Sequence, residues 1–244
     1  MRRRIVLAIL LSAFVGVTIW IPTIGRVGIY KVFTYSQIMT SSWDHLKMVG
    51  LAAILAVVIG VFLGILVTRP YFRRFSTIVI GGAGIGQCVP SMALIVIMAP
   101  LLGFGLQSAI VALFLYGLLP ILRNSYAGIR NIDPAIIEAA RGMGMSRGQI
   151  TKRIELPLAR PVIMAGIRTS TVVNVGTATL AVLVGGKGLG TILLAGVFAR
   201  EPMLILEGAA PVAAMAILLD FLLESAETLT TPRGLKVRKE RGAQ

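Results

Sequence analysis

One stretch of this chain has residue types and spacing suited to a specific task. Glu138-Ala139-Ala140 is followed after three residues by Gly144, and after nine more by Ile154-Glu155-Leu156-Pro157. The stretch is a polar, basic island between long apolar runs. Ile136, Ile137 and Ala140 would present apolar surface at one helical spacing, and a partner surface would bury it. Ala139, Ala140 and Gly144 are small enough to let that partner approach closely. The plain alternative for Glu138 is a surface carboxylate paired with Arg141 one turn on, worth a few tenths of a kcal/mol.

Two glycine-rich runs could be taken for phosphate-binding loops. In Gly185-Gly186-Lys187-Gly188-Leu189-Gly190 the lysine is followed by glycine, where a phosphate-binding loop needs the Ser or Thr that holds the metal. Gly82-Ala83-Gly84-Ile85-Gly86 lacks the G-x-G-x-x-G spacing and has no strand before it. Both read as close-packed or bent segments, so no nucleotide site is expected here. Cys88 is the only cysteine and His45 the only histidine, which excludes an intrachain disulfide and a Cys/His zinc cluster. No catalytic residue and no metal site are expected.

The composition sets where these residues must work. Of 244 residues 56% are hydrophobic and 14% charged, with a mean hydropathy of +0.87; soluble domains carry about 25% charged residues. A spanning helix takes roughly 20 apolar residues, and apolar runs fall at residues 5–21, 48–68, 76–102, 108–122, 161–184 and 204–223. The expectation is an all-α integral membrane protein with about six transmembrane helices. Arg2, Arg3 and Arg4 before the first run could open a signal peptide, but no small-x-small cleavage site follows, so that helix is expected to be retained. Residues 1–47 would hold the first helix and an external segment with a short interfacial helix. Residues 48–224 would form the transmembrane core with a loop at 123–160, and residues 225–244 a basic tail.

The net charge of +14 could suggest nucleic acid, but the basic residues sit between apolar runs and not on a water-facing module. They report topology instead. Eighteen lysines and arginines fall in the alternate segments that include both ends and the 69–74 and 123–160 loops; five fall on the other side, and Arg168 lies inside a run. Both termini and the Glu138–Pro157 island are therefore expected in the cytoplasm of a multi-pass protein of the cytoplasmic (inner) membrane. Within the island, Asp133-Pro134 starts a short helix to about Arg141, glycines 142 and 144 break it, and Ser146-x-x-Gln149 starts a second, which Pro157 should stop near Leu156.

The spaced pattern matches, at every fixed position, the EAA-x3-G-x9-I-x-LP coupling signature of permease subunits of ATP-binding-cassette importers. Residues 48–224 further resemble the osmoprotectant permeases that import glycine betaine, choline, carnitine or related quaternary amines. That likeness is carried by Pro90-Ser91-Met92-Ala93-Leu94, Gly103-Phe104-Gly105, Leu119-Pro120-Ile121-Leu122-Arg123-Asn124, Gly186-Lys187-Gly188-Leu189-Gly190 and Gly208-Ala209-Ala210-Pro211-Val212. The resemblance implies a type I importer permease fold, two copies of which enclose one pathway. It implies as partners an ATP-binding subunit, an extracytoplasmic substrate-binding protein and a second permease subunit, identical or paralogous. ATP and magnesium would belong to the ATP-binding subunit, and Glu138, Ala139, Ala140, Gly144, Ile154, Leu156 and Pro157 would couple it to the spans.

Polar residues inside spans need a partner or a wet cavity, because a central Asp or Arg costs about 2.5 to 3.5 kcal/mol on insertion scales. Gln87, Asn174, Thr177, Thr179, Glu207 and Asp220 are the candidates; Gln87, Asn174, Thr177 and Glu207 could line a substrate path, or could tie helices together. A permease for amino acids or methionine-like solutes is the alternative cargo. An ion-gradient-driven transporter is a more distant alternative, since neither inverted repeats nor a paired charge relay is seen.

Overall fold

A computed structural model describes residues 33–230 together with Gly16, and of Gln87, Leu229 and Thr230 only the backbone. The apolar run at 5–21 and residues 231–244 lie outside the described residues, whereas residues 225–230, expected to begin the basic tail, continue the last helix.

Helix α1, Tyr35–Leu66, is unbroken over 32 residues. At 1.5 Å per residue it is roughly 48 Å long, more than a hydrocarbon core of about 30 Å. The short helix expected before residue 48 is therefore not separate but the first part of α1. No glycine or proline lies between residues 35 and 49, and Gln37 Oε1 accepts from the Thr34 amide at 2.8 Å and its hydroxyl at 2.7 Å, which fixes the start at Tyr35. A 3₁₀ turn, Arg73–Phe75, leads to α2, Ser76–Cys88, and α3, Ser91–Leu102. The two helices are bent by 101°, so the single run read at 76–102 is a broken one. Pro90 falls in the break; it offers no amide and disfavours helix at Val89.

Helix α4, Leu106–Arg130, runs eight residues past the expected end at 122. Helices α5, Pro134–Gly142, and α6, Arg147–Ile150, follow. A π turn, Thr151–Glu155, joins α6 to α7, Leu156–Thr177, and a 3₁₀ turn, Ala178–Val184, extends it. These form one 38-residue helical stretch, Arg147–Val184. Pro157 therefore does not stop a helix, contrary to expectation. The π turn makes room: the Leu156 amide reaches back five residues to Thr151 O, so the helix widens just before the ring that would crowd an ordinary turn. Last come α8, Leu189–Ala199, and α9, Pro202–Thr230.

Among the described residues four helices are long and apolar enough to cross a membrane, or five if the bent α2–α3 pair is one span. Helix α4 packs between α1 and α7, and α9 packs against α7 and α8. The core gathers Ile38, Met48 and Val49 of α1, Leu113 of α4, Val175 of α7 and Ile192 of α8.

The seams close because small residues sit where backbones meet. A Cβ on Gly64 of α1 would stand 2.9 Å from Leu122 O of α4, so the Gly60 and Gly64 pair serves contact within the chain. At Gly117 of α4 a Cβ would overlap Asn174 Nδ2 and stand 2.7 Å from Ser170 Oγ. Both side chains hold α4 there: Ser170 Oγ donates to Gly117 O at 2.8 Å and Asn174 Nδ2 to Leu113 O at 3.1 Å. Gly117→Val is expected to destabilise the protein by about 1–3 kcal/mol through overpacking, lowering the unfolding midpoint of the detergent-purified chain. Gly81→Ala, at a position with nothing within 4 Å, should leave that midpoint unchanged or slightly raised.

Candidate functional site

Residues 131–146, between the ends of α4 and α6, form a compact projection. Asp133 caps α5, its Oδ1 accepting from the Ala135 amide at 2.9 Å, while Pro134 occupies a position where no amide is needed. The helix ends in a Schellman arrangement. The Gly144 amide donates to Arg141 O at 2.9 Å and the Met145 amide to Ala140 O at 3.2 Å. This closure requires φ of +78° at Gly144, the left-handed region that only glycine enters at no cost. Among the described residues nothing lies within 4 Å of where its Cβ would be, so backbone geometry and not crowding demands glycine. Ser146 and Gln149 then exchange hydrogen bonds as expected, Gln149 Oε1 accepting from the Ser146 amide at 2.8 Å.

The projection turns apolar side chains outward. Ala140, expected to present surface, is instead fully buried within the chain, but Ile136 is 42% and Met143 73% exposed. Glu138, Ala139 and Gly144 are exposed as well, and Ile154, Leu156 and Pro157 are partly buried at the root. Glu138 makes no ion pair with Arg141; both line a pocket of about 210 Å³ between projection and bundle, with Thr68, Ile129, Ile137 and Glu155.

The strongest tie at this site joins two residues that the sequence did not single out. Arg69, just beyond α1, grips Glu155 with both arms: Nη2 donates to Oε2 at 2.7 Å and Nη1 to Oε1 at 3.2 Å. Glu155 is buried and occupies the last residue of the π turn. The pair pins the root of the projection to the end of α1, and the only available signal was a carboxylate set between two apolar residues of a helix.

The candidate polar residues of the spans are not brought together into one site. Asn174 is fully buried and held on α4 by its amide, with Oδ1 unpaired. Thr177 is partly buried at the end of α7, and Thr179 donates to Gly176 O at 2.7 Å. Glu207 is buried near the start of α9, facing the Phe33 backbone. Gln87 belongs to α2, its side chain outside the described residues. Arg168 is matched by carboxylates of α9: two 2.9 Å hydrogen bonds to Asp220, with Glu224 at 3.5 Å and Glu227 at 3.6 Å. His45, read only as a lone histidine, is fully buried in α1 with Nε2 2.9 Å from Val175 O. Among the described residues no three His, Cys, Asp or Glu side chains are grouped so as to hold a metal.

Comparison with known proteins agrees with this geometry. Residues 56–234 match the family described as binding-protein-dependent transport system inner membrane component. The chain is 43% identical over 204 residues to the choline transport system permease protein OpuBB of Bacillus subtilis, covering 84% of this chain and 93% of that protein. It is 41% identical to the glycine betaine/carnitine/choline transport system permease protein OpuCB of the same organism, with the same coverage. It is 37% identical to the osmoprotectant import permease protein OsmW of Salmonella typhimurium, over 85% of this chain and 98% of that one. Among solved structures, an inward-facing MetNI methionine ABC transporter superposes with a TM-score of 0.71 at 25% identity, over 80% of this chain and 97% of that one.

Two substitutions separate backbone geometry from bulk in the projection. Gly144→Ala places an L residue at positive φ and should cost about 1–2 kcal/mol locally, speeding hydrogen exchange at the Gly144 and Met145 amides. Gly142→Ala, helical and in open space, should slow it. For the root, Arg69→Gln strands a buried carboxylate and should cost about 1–3 kcal/mol, seen as a lower unfolding midpoint in detergent. Adding Glu155→Gln should recover part of the loss, because the stranded charge is then gone.

Proposed function

We infer the cargo and the working of this chain from its membership: it belongs to the family of binding-protein-dependent transport system inner membrane components, and it is the transmembrane permease subunit of an ATP-binding-cassette importer. Its cargo is a small quaternary-amine osmoprotectant such as glycine betaine, choline or carnitine. The support is identity above 40% over most of the chain to permeases named for those solutes. The methionine transporter that shares the fold does so at 25% identity, and a shared fold carries less weight for cargo than a close sequence.

The observation that carries the mechanism is the way the signature residues fold. Glu138, Ala139, Ala140 and Gly144 form a rigid projection with exposed Ile136 and Met143, and Ile154, Leu156 and Pro157 form its root. An ATP-binding subunit that buries those apolar side chains would grip a lever. The root continues into α7 through one helical stretch, Arg147–Val184, so a displacement of the projection is delivered along α7 to Arg168 and Asn174. Arg69 ties the same displacement to α1 through Glu155. Nucleotide and magnesium stay on the partner, and this chain acts as a transport subunit with no ATPase site of its own.

A second permease subunit, a copy or a paralogue, completes the pathway, and an extracytoplasmic binding protein delivers the solute. The eighteen-to-five distribution of basic residues supports cytoplasmic termini and a cytoplasmic projection, where the ATP-binding subunit is.

ATP-dependent uptake of radiolabelled glycine betaine into vesicles that contain this chain, its ATP-binding subunit and its binding protein tests the reading. Uptake should occur and be blocked by unlabelled choline or carnitine but not by methionine; ATP hydrolysis without betaine uptake would refute the cargo. Glu138→Ala combined with Gly144→Asp should cut uptake more than tenfold with membrane insertion intact. Undiminished uptake in that double variant would refute the coupling role.

A further inference from the structure

The run Gly186-Lys187-Gly188 lies outside the projection and its root, and its second glycine packs directly on α1. Gly188 has φ of +151°, and a Cβ on it would stand 3.0 Å from His45 Nδ1 and 3.2 Å from His45 Cα. On its other side the His45 ring meets Val175 O through Nε2 at 2.9 Å. The histidine is thus clamped between the end of α7 and the glycine. Asp44 and Lys187 are the chain neighbours of the two clamped residues, so the clamp sets a carboxylate and an ammonium on the wall of one pocket.

That pocket measures about 450 Å³, within the range of small-molecule sites, and Phe33, Ser41, Asp44, Lys187 and Thr191 are among its lining residues. Two of its polar side chains are already engaged on their own turns. Gln37 Oε1 accepts from Thr34, and Thr40 Oγ1 donates to Ser36 O at 2.8 Å. Of the charged ones, Asp44 accepts a long 3.4 Å hydrogen bond from Lys47 Nζ, which also lies 5.3 Å from the Trp43 ring centroid. Lys187 is exposed and forms no ion pair with any described residue.

We propose that this pocket, between the start of α1 and the Gly185–Gly188 loop, is a binding site for a small zwitterion, with the cationic head at Asp44 and the carboxylate at Lys187. It lies on the face that the basic residues assign to the outside, where solute leaving the binding protein first meets the permease. A zwitterion matches both charges at once, whereas a simple cation such as choline leaves Lys187 unmatched. The assignment rests on the quaternary-amine reading given above and names the side chains that would recognise that cargo.

Equilibrium binding of radiolabelled glycine betaine and of choline to the purified permease with its ATP-binding subunit, in the absence of binding protein, tests it. Lys187→Gln should weaken glycine betaine by about tenfold or more, the worth of a charge-assisted hydrogen bond, and leave choline unchanged. Asp44→Asn should weaken both, and Lys187→Arg should restore glycine betaine. Absence of binding to the native protein, glycine betaine binding indifferent to Lys187→Gln, or an equal loss of choline would each overturn the site. If that failure comes with intact ATP-driven betaine uptake, the site falls and the cargo stands. If betaine is not taken up but methionine binds in a Lys187-dependent way, the zwitterion site stands and the quaternary-amine cargo falls.

Discussion

Hydrocarbon supplies no hydrogen-bond partners, and that constraint shapes the polar contacts between the helices of this chain. A polar side chain inside a span must find its partner within the protein, on its own helix or on a neighbour. Asn174 and Ser170 spend their donors on carbonyls of α4, His45 meets a carbonyl of α7, and Arg168 is matched by carboxylates of α9. Together these contacts join α7 to three neighbours, α4, α1 and α9. The bundle is organised around this helix because α7 carries or receives most of the polar ties, and the glycine positions of α4 let the backbones come close enough to make them.

The root of the projection obeys the same rule at its edge. Glu155 is buried where α7 leaves the bundle, and Arg69 answers it with two hydrogen bonds. A paired charge in that position is a poor source of net stability but a good source of alignment, since breaking it by removing one partner is far costlier than never having it. The arginine grips through a planar fork, so it fixes direction as well as distance. Helix α1, the projection and α7 thereby meet at one point of defined geometry.

Much of this was legible in the chain itself. Short-range chemistry read well: Asp133-Pro134 as a helix start, the Ser146 and Gln149 exchange, and the break around Gly144 all depend on residues within four positions of one another. The apolar runs located the described spans, but their limits were misplaced where polarity and helicity part company. Residues 35–47 of α1 and 123–130 of α4 are polar enough to look like loops, yet neither holds a proline and both continue as helix. Pro157 misled for the opposite reason, since a local rule for proline gave way to a π turn that no single residue announces. The Arg69–Glu155 pair and the clamp on His45 join residues 86 and 143 positions apart, and no local pattern encodes contacts at that range.

The π turn at Thr151–Glu155 also sets an angle. An α-helix advances by about 100° per residue, so one extra residue in a widened turn rotates everything upstream by about that much around the helix axis. The azimuth at which Ile136 and Met143 leave the bundle is therefore set by the number of residues between Ser146 and Pro157, while Glu155 and the Ser146–Gln149 exchange hold that count in place. A gain or loss of one residue here would turn the projection to a different compass bearing around the axis of the helix that carries it.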